Sequence, residues 1–320
     1  MRWVAGLLIA CLSISLVGCS NEQPASDNAK LNVVVTIFPL YDWAQEIMGE
    51  NTDTYELSLL VDNGIDMHSY QPSVKDIANI STCDLFIYVG GESDEWVEEV
   101  LASAVNKNMV VVNLLDVLGA SVKEEEIIEG MDSHEKGKSD ETELDEHVWL
   151  SLKNAEIFCT VLSEKLGTIN AKSADIYEAS TNAYKEKLTA LDKKYQAMVN
   201  AAKYDTLVFG DRFPFRYLVD DYGITYYAAF PGCSAETEAS FETITFLAGK
   251  MDSLGMHSIM VIDGSDHAIA QTIIQSTQAK DQQIAEINSM QSIDQNEIAA
   301  GATYLSIMEA NLKTLEEALN

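Results

Sequence analysis

Two histidines and several carboxylates lie where the chain could bind a transition-metal ion. His68 and His147 each lie in a polar segment beside an apolar run, and Asp211, Asp263 and Asp266 each come just after an apolar run. Imidazole and carboxylate ligands together suit zinc, manganese or iron(II). Aspartate is also a routine residue after a strand, so each signal is weak when taken singly. The metal hypothesis depends on whether the fold brings these side chains together.

Cysteine adds a further candidate ligand. The chain has five cysteines, and Cys233 stands in a Pro-Gly-Cys segment of the second half. A thiolate there would bind zinc well, whereas a buried or disulfide-linked cysteine is the plainer interpretation. No Cys-x-x-Cys pair occurs in the sequence, so neither a zinc ribbon nor a redox motif is supported.

The apolar runs that precede these residues predict parallel strands. They are continuous and alternate with helical segments, which is typical of a sheet covered on both faces. In such α/β sheets ligands bind at the carboxyl ends of the strands, where the candidates fall. A segment without Gly or Pro at 173–201 predicts one helix of roughly 40 Å. The predicted strands are 31–37, 55–61, 84–89, 109–115, 206–209, 224–228, 258–262 and 283–287.

This alternation predicts an α/β fold of two lobes, each a parallel β-sheet flanked by helices, joined by one long backbone helix. We expect an N-terminal lobe at 31–167, a linking helix at 168–203 and a C-terminal lobe at 204–320. Within the first lobe, residues 123–146 are dense in acid and predict a solvated loop. The alternative is a loop that gathers cations weakly, with His134 as its imidazole.

The first residues predict export. Arg2 precedes an apolar run at 4–17 that is too short to span a bilayer, and a small residue then precedes Cys19. The pattern is that of a secretory signal and resembles a bacterial lipoprotein signal. Cleavage would remove 1–18, leave lipid on the Cys19 thiol and make 19–30 a tether. An ordinary signal peptide with a coincidental cysteine is the alternative. The expected location is extracytoplasmic, lipid-anchored to the cell membrane.

The charge of the chain excludes some partners. Lysine and arginine number 20 against 51 acidic residues, giving a formal net charge of −31. Such a surface repels nucleic acid, whose binders carry a basic footprint, and it repels anionic lipid. We therefore expect no nucleic-acid partner, and membrane attachment through an anchor rather than through charge.

Several segments together resemble the metal-binding lipoproteins that feed ATP-driven importers of zinc or manganese, the cluster A-I solute-binding proteins. Residues 67–72 resemble the family's "PHSYEP" segment and residues 146–150 its "DPHVWL" segment, and each contains a ligand histidine at the position of His68 or His147. Residues 36–41, 234–240 and 304–312 match other family segments. The resemblance implies a monomer with a metal ion in an interlobe cleft, which delivers that ion to an ABC permease.

The third ligand departs from the family pattern. Relatives place His or Glu in a "SHAAFGYL" segment, where this chain has Arg212. Guanidinium stays protonated and cannot coordinate a cation. Either Asp211 is the ligand in its place, or the site uses fewer protein ligands and a water molecule. In both cases Arg212 could pair with a carboxylate of the site and hold the lobes together when metal is absent. The resemblance implies an acid from the second lobe as fourth ligand, for which Asp263 fits best and Asp266 is the alternative.

Zinc is the expected ion and manganese the alternative, because affinity at most such sites favours zinc. Two other functions remain open on the sequence. An extracellular metallohydrolase would need an open coordination position and a general base, and no His-Glu-x-x-His signature occurs. An adhesion or scaffold lipoprotein with a degenerate metal site would explain Arg212.

Overall fold

The computed structural model describes residues 30–49, 53–132, 143–234 and 238–320. The predictions for the signal, Cys19 and the tether lie outside these residues, as does His134 in the acidic loop. The described chain contains two four-stranded sheets, both parallel, with strand orders β2–β1–β3–β4 and β6–β5–β7–β8. The predicted fold class is therefore confirmed.

The first sheet and its helices form the N-terminal half. Every predicted strand is present here, shortened at its ends. The strands are β1 (Leu31–Val35), β2 (Tyr55–Leu59), β3 (Leu85–Tyr88) and β4 (Val110–Asn113), and the helices are α1 (Phe38–Met48), α2 (Val74–Thr82), α3 (Trp96–Ser103) and α4 (Leu114–Leu118).

Two long helices follow, α5 (Leu152–Ile169) and α6 (Ala174–Ala201). The predicted strut corresponds to α6, whose 28 residues span about 42 Å. The helix α5 lies antiparallel to it, since Lys185 donates to Thr160 at 2.9 Å and Thr189 donates to Glu156 at 2.6 Å. The strut is thus half of a helical hairpin rather than a free-standing rod.

The second sheet forms the C-terminal half. The strand β5 runs on past its predicted end at 209 and contains a register shift between Phe209 and Arg212. The strands are β5 (Thr206–Phe213), β6 (Thr225–Pro231), β7 (Ser258–Ile262) and β8 (Gln283–Ile287), and the helices are α7 (Arg216–Tyr222), α8 (Phe241–Leu254), α9 (Ala268–Ser276), α10 (Gln295–Ala299) and α11 (Tyr304–Ala318).

The last helix, α11, returns to the N-terminal half. The backbone N–H of Tyr304 donates to the Asp42 carboxylate at 3.0 Å, its hydroxyl donates to the Trp149 carbonyl at 2.7 Å, and Tyr195 donates to the Met308 carbonyl at 2.6 Å. One hydrophobic core accordingly contains residues of both halves. The boundaries given above for the two lobes stay a prediction, because packing does not divide the chain there.

Among the described residues, no helix combines the length and the hydropathy of a membrane span.

Candidate metal centre

Three potential ligands converge between the two sheets. His68 lies in the 3₁₀ turn Met67–Ser69 that follows β2, His147 directly precedes the 3₁₀ turn Val148–Leu150, and Cys233 follows β6. Their ligand atoms all lie within 4.8 Å of one another. The Nε2 atoms of the two histidines are 3.2 Å apart. Two nitrogens bound tetrahedrally to zinc at about 2.0–2.1 Å would be separated by about 3.3 Å, so the imidazoles are spaced for a shared ion.

Each ring has a hydrogen-bond partner at its far side, and for His147 that partner fixes the tautomer. Nδ1 of His147 lies 3.0 Å from the Asp145 carboxylate, and Nδ1 of His68 lies 2.7 Å from the Ser93 hydroxyl. A carboxylate can only accept, so Nδ1 of His147 carries the proton and Nε2 keeps its lone pair. Such outer partners orient metal-binding histidines and raise their basicity.

Gln291, in the loop after β8, contacts both imidazoles. Its amide nitrogen lies 2.9 Å from Nε2 of His68 and 2.8 Å from Nε2 of His147. Its amide oxygen accepts from Arg212 at 3.4 Å, and Arg212 also forms an ion pair with Asp66. The predicted pairing of Arg212 with a carboxylate beside the centre is thus present. Sequence reasoning missed Gln291, although the strand-end rule that selected the aspartates applies equally to the residues after β8.

The backbone beside Cys233 allows the close approach to His147. A Cβ atom at Gly232 would lie 2.9 Å from Cε1 of His147 and 2.9 Å from the Phe213 carbonyl oxygen, closer than real Cβ atoms come. The backbone N–H of Cys233 donates to Glu125 at 3.1 Å. Burial, with nearby carboxylates, raises the pKa of the Cys233 thiol. A bound cation would oppose this effect, because coordination deprotonates a thiol.

Burial also favours the neutral form of the His68 imidazole. The pKa of His68 is lowered to about 3, mainly by burial and further by His147 and Arg212. A neutral ring is the form that binds a metal ion. The Glu146 carboxylate lies on the Nδ1 side of the His68 ring. One of its oxygens accepts from the Ser93 N–H at 2.9 Å, and the other lies 3.9 Å from Nδ1 of His68. Burial raises the pKa of Glu146.

The structure places the three predicted aspartates elsewhere. The only group of described residues suited to a metal ion consists of the two histidines and Cys233, so the aspartates lie outside it. Asp211 accepts from the N–H groups of Arg212 and Ile262, at 2.9 and 3.4 Å. Asp263 accepts from the Ser289 N–H and hydroxyl, at 2.6 and 2.8 Å, and Asp266 accepts from the Ala268 N–H at 2.9 Å. Asp211 is thus occupied by the backbone of β5 and β7, Asp263 by the loop after β8, and Asp266 by the first residue of α9.

The cysteines of the described residues are all free thiols. They are Cys83, Cys159 and Cys233. The first two are buried away from the histidines, and burial raises their pKa values, that of Cys83 to about 12. Only Cys233 is therefore placed to contribute to the centre.

Fold and centre define a two-lobed α/β protein with a cluster of metal-binding side chains between its sheets. The family model described as "ZnuA: Zinc-uptake complex component A periplasmic" matches residues 33–318, and the chain belongs to this family. The resemblance stated from the motifs is confirmed. The description agrees with an extracytoplasmic location.

Individual relatives carry related names. The chain is 31% identical to the zinc-binding lipoprotein AdcA of Streptococcus pneumoniae over 99% of its own length, but it spans only 61% of that relative. It is 26% identical to the high-affinity zinc uptake system protein ZnuA of Bacillus subtilis, over 99% of this chain and 98% of the relative. The solved Zn(II)-bound ZnuA-like domain of Streptococcus pneumoniae AdcA superimposes with a TM-score of 0.70 at 27% identity, covering 91% of this chain and 99% of the domain.

Proposed function

We propose that the protein captures Zn²⁺ outside the cytoplasm and delivers it to the permease of an ABC importer. The observation that carries this proposal is the pair of imidazoles whose Nε2 atoms are 3.2 Å apart and present lone pairs to one point. Zinc suits neutral imidazole, with manganese as the alternative cargo. The family description and the names of the relatives support zinc uptake.

We propose Cys233 as the third ligand. Its sulfur lies within 4.8 Å of both histidine nitrogens, and a thiolate favours zinc over manganese. Asp211 and Asp263 form the alternative ligand set inferred from the sequence. To reach the imidazoles, Asp211 would have to leave the N–H groups of Arg212 and Ile262, or Asp263 would have to leave Ser289.

The proposal also includes a lipid anchor and a monomeric state. Lipid on Cys19 would hold the protein at the membrane, and residues 19–30 would let its two lobes reach the permease as a monomer. The name of the AdcA relative, a lipoprotein, supports the anchor. The net charge of −31 supports attraction of cations and not of nucleic acid.

Thermal unfolding of the metal-stripped chain tests the proposal. At a zinc concentration one thousand times Kd, binding stabilises a protein by about 4 kcal/mol. We expect a large zinc-dependent rise in Tm, a smaller one with manganese, and loss of most of the rise in His68→Ala. If neither ion raises Tm, the protein does not bind these metals.

Single substitutions distinguish Cys233 from the two aspartates as the additional ligand. Cys233→Ser should weaken zinc binding by at least tenfold, whereas Cys83→Ser, which removes a buried thiol away from the centre, should not. Asp211→Asn and Asp263→Asn should leave affinity within about threefold. A loss in either aspartate variant, with none in Cys233→Ser, would select the alternative set.

Two further measurements address the other functions. Turnover of ester, phosphate or peptide substrates by the zinc-loaded chain would favour a hydrolase, and we expect none. Normal growth of a deletion strain in zinc-depleted medium, in a host without a second importer, would favour adhesion, and we expect impaired growth.

A further inference from the structure

We propose that Gln291, held in place by Arg212, competes with the metal ion for the two histidine lone pairs and thereby limits metal affinity. The effect on metal affinity rests on the proposed function. The hydrogen-bond network itself is present in the chain without any metal. Arg212 would then act as a positioning residue for metal capture, although it cannot bind metal itself.

The amide of Gln291 is oriented by groups on both of its sides. It is 2% exposed, so water cannot substitute freely for its partners. On one side its NH₂ group lies 2.9 and 2.8 Å from the two Nε2 atoms, and because an amide NH₂ can only donate, both Nε2 atoms accept. On the other side its oxygen faces the Arg212 guanidinium at 3.4 Å. Turning the amide over would place its NH₂ against a group that has only donors.

Arg212 is itself anchored to the opposite lobe. Its guanidinium, on β5, pairs with one oxygen of Asp66, whose other oxygen accepts from the His68 N–H at 3.0 Å. The two side chains are only 17% and 24% exposed, so solvent screens the pair less than it screens a surface pair. The same carboxylate therefore fixes the arginine and the turn that carries the first histidine. The network closes into a ring that includes His68, Gln291, Arg212 and Asp66.

The hydrogen-bonded ring and a bound metal ion require the same lone pairs on the two histidine Nε2 atoms. A cation bound to both histidines uses the same two lone pairs as the Gln291 NH₂ group, so the two cannot be bound together. Because Arg212 holds the amide oxygen away from the histidines, Gln291 cannot become a ligand by a simple flip. It must withdraw, and the hydrogen bonds it loses lower the net affinity. An importer component gains from such a limit, because it has to give up its ion.

The first test uses the chain stripped of metal. Gln291→Ala and Arg212→Leu should each lower Tm, and the double variant should lower it by less than the sum, because both changes break one network. The ¹⁵N resonances of both histidine Nε2 atoms should shift in Gln291→Ala and in Arg212→Leu. Additive Tm changes with unmoved resonances in Arg212→Leu would overturn the coupling. Arg212→Gln replaces Arg212→Leu if the latter does not fold.

Matched controls lie in the same half of the chain. Gln282→Ala removes a buried glutamine that pairs with Thr277, and Arg216→Leu removes an arginine that pairs with Glu126 and Asp220. Both should lower Tm without moving the histidine resonances. A shift of those resonances in the controls would mean that the spectra report general loosening, which would overturn the assignment.

The second test measures zinc affinity by competition with a chelator. Gln291→Ala should bind zinc about tenfold more tightly, equivalent to about 1.4 kcal/mol. Arg212→Leu should show a similar gain, and the double variant no more than Gln291→Ala. Weaker binding in Gln291→Ala would make Gln291 a ligand and overturn the proposal. If the unmodified chain binds no zinc, the proposed function fails, while the metal-free measurements still decide the network.

Discussion

Asp145 controls which nitrogen of His147 faces the centre, and its replacement tests the geometry most directly. One oxygen of this buried carboxylate accepts from both the backbone N–H and Nδ1 of His147, at 2.9 and 3.0 Å. Asp145→Asn keeps the shape but removes the charge, which lowers the basicity of the ring. If the new amide turns, its NH₂ donates to Nδ1 and moves the ring proton to Nε2, where the metal would bind.

The expected loss of zinc affinity follows from the role of Asp145, which contacts the ligand His147 but does not itself bind the metal. Loss of such a partner costs 10- to 100-fold in metal affinity, or about 1.4–2.8 kcal/mol. A chelator-competition titration with zinc measures it. Asp221→Asn, which alters a carboxylate that accepts from the Ser151 hydroxyl and pairs with Lys153, provides the control and should leave affinity unchanged. An unaltered Kd in Asp145→Asn, alongside a large loss in His147→Ala, would refute the reasoning.

Three other predictions concern packing, pH and attachment. Gly232→Ala should weaken zinc binding at least tenfold by pushing on His147, while Gly249→Ala, whose new Cβ meets nothing within 4 Å, should not. Burial raises the pKa of Asp42 from 3.8 to about 6, so the folded chain keeps a proton that the unfolded chain releases. Stability should fall by about 3 kcal/mol as pH rises from about 4 to 6, and urea unfolding of Asp42→Asn should lack this component; an identical slope contradicts it. Cys19→Ser should release the protein from membranes with unchanged zinc affinity, and a weaker affinity would link lipid to binding.

The positions of the parallel strands and the two histidines could be predicted from the sequence, whereas the order of the strands in each sheet is known only from the structure. Continuous apolar runs bounded by polar residues predict buried parallel strands, and a histidine just past such a run lies at the ligand-binding edge. This rule applies to His68, which follows β2, but not to His147, which precedes the turn Val148–Leu150. The two histidines meet although they are 79 positions apart. Motif resemblance pointed to the same residues.

The remainder of the centre depends on side-chain directions that the pattern does not contain. Asp263 has the right chemistry after the right strand, but its carboxylate binds the Ser289 N–H and hydroxyl in the neighbouring loop. Gln291 lies in that same loop and carries no charge, so a search for metal-binding residue types passes over it. Cys233 was an open alternative because its approach depends on Gly232 and the backbone around it.

Strand ends were predicted less well than strand centres. The strand β5 extends to Phe213 instead of ending at 209, which puts Arg212 within the sheet rather than in a loop. Gly210 allows α9 to pack closely on this part of the strand, since a Cβ there would lie 2.6 Å from the Cα of Ala270. The helix α5 was not anticipated, because its apolar positions mix with β-branched residues and a glycine that weaken the helical pattern.

Because α11 packs against the first half of the chain, folding of that half cannot finish until α11 has been synthesised. Asp42 receives its backbone hydrogen bond from Tyr304, 262 positions later, and the Trp149 carbonyl receives the hydroxyl of the same tyrosine. During synthesis the first sheet therefore emerges long before the side chains that finish its core. Until α11 leaves the ribosome, the Asp42 carboxylate and the Trp149 carbonyl lack the hydrogen bonds that Tyr304 supplies. The fifteen residues of α11 thus complete the packing around a sheet whose first strand begins at residue 31.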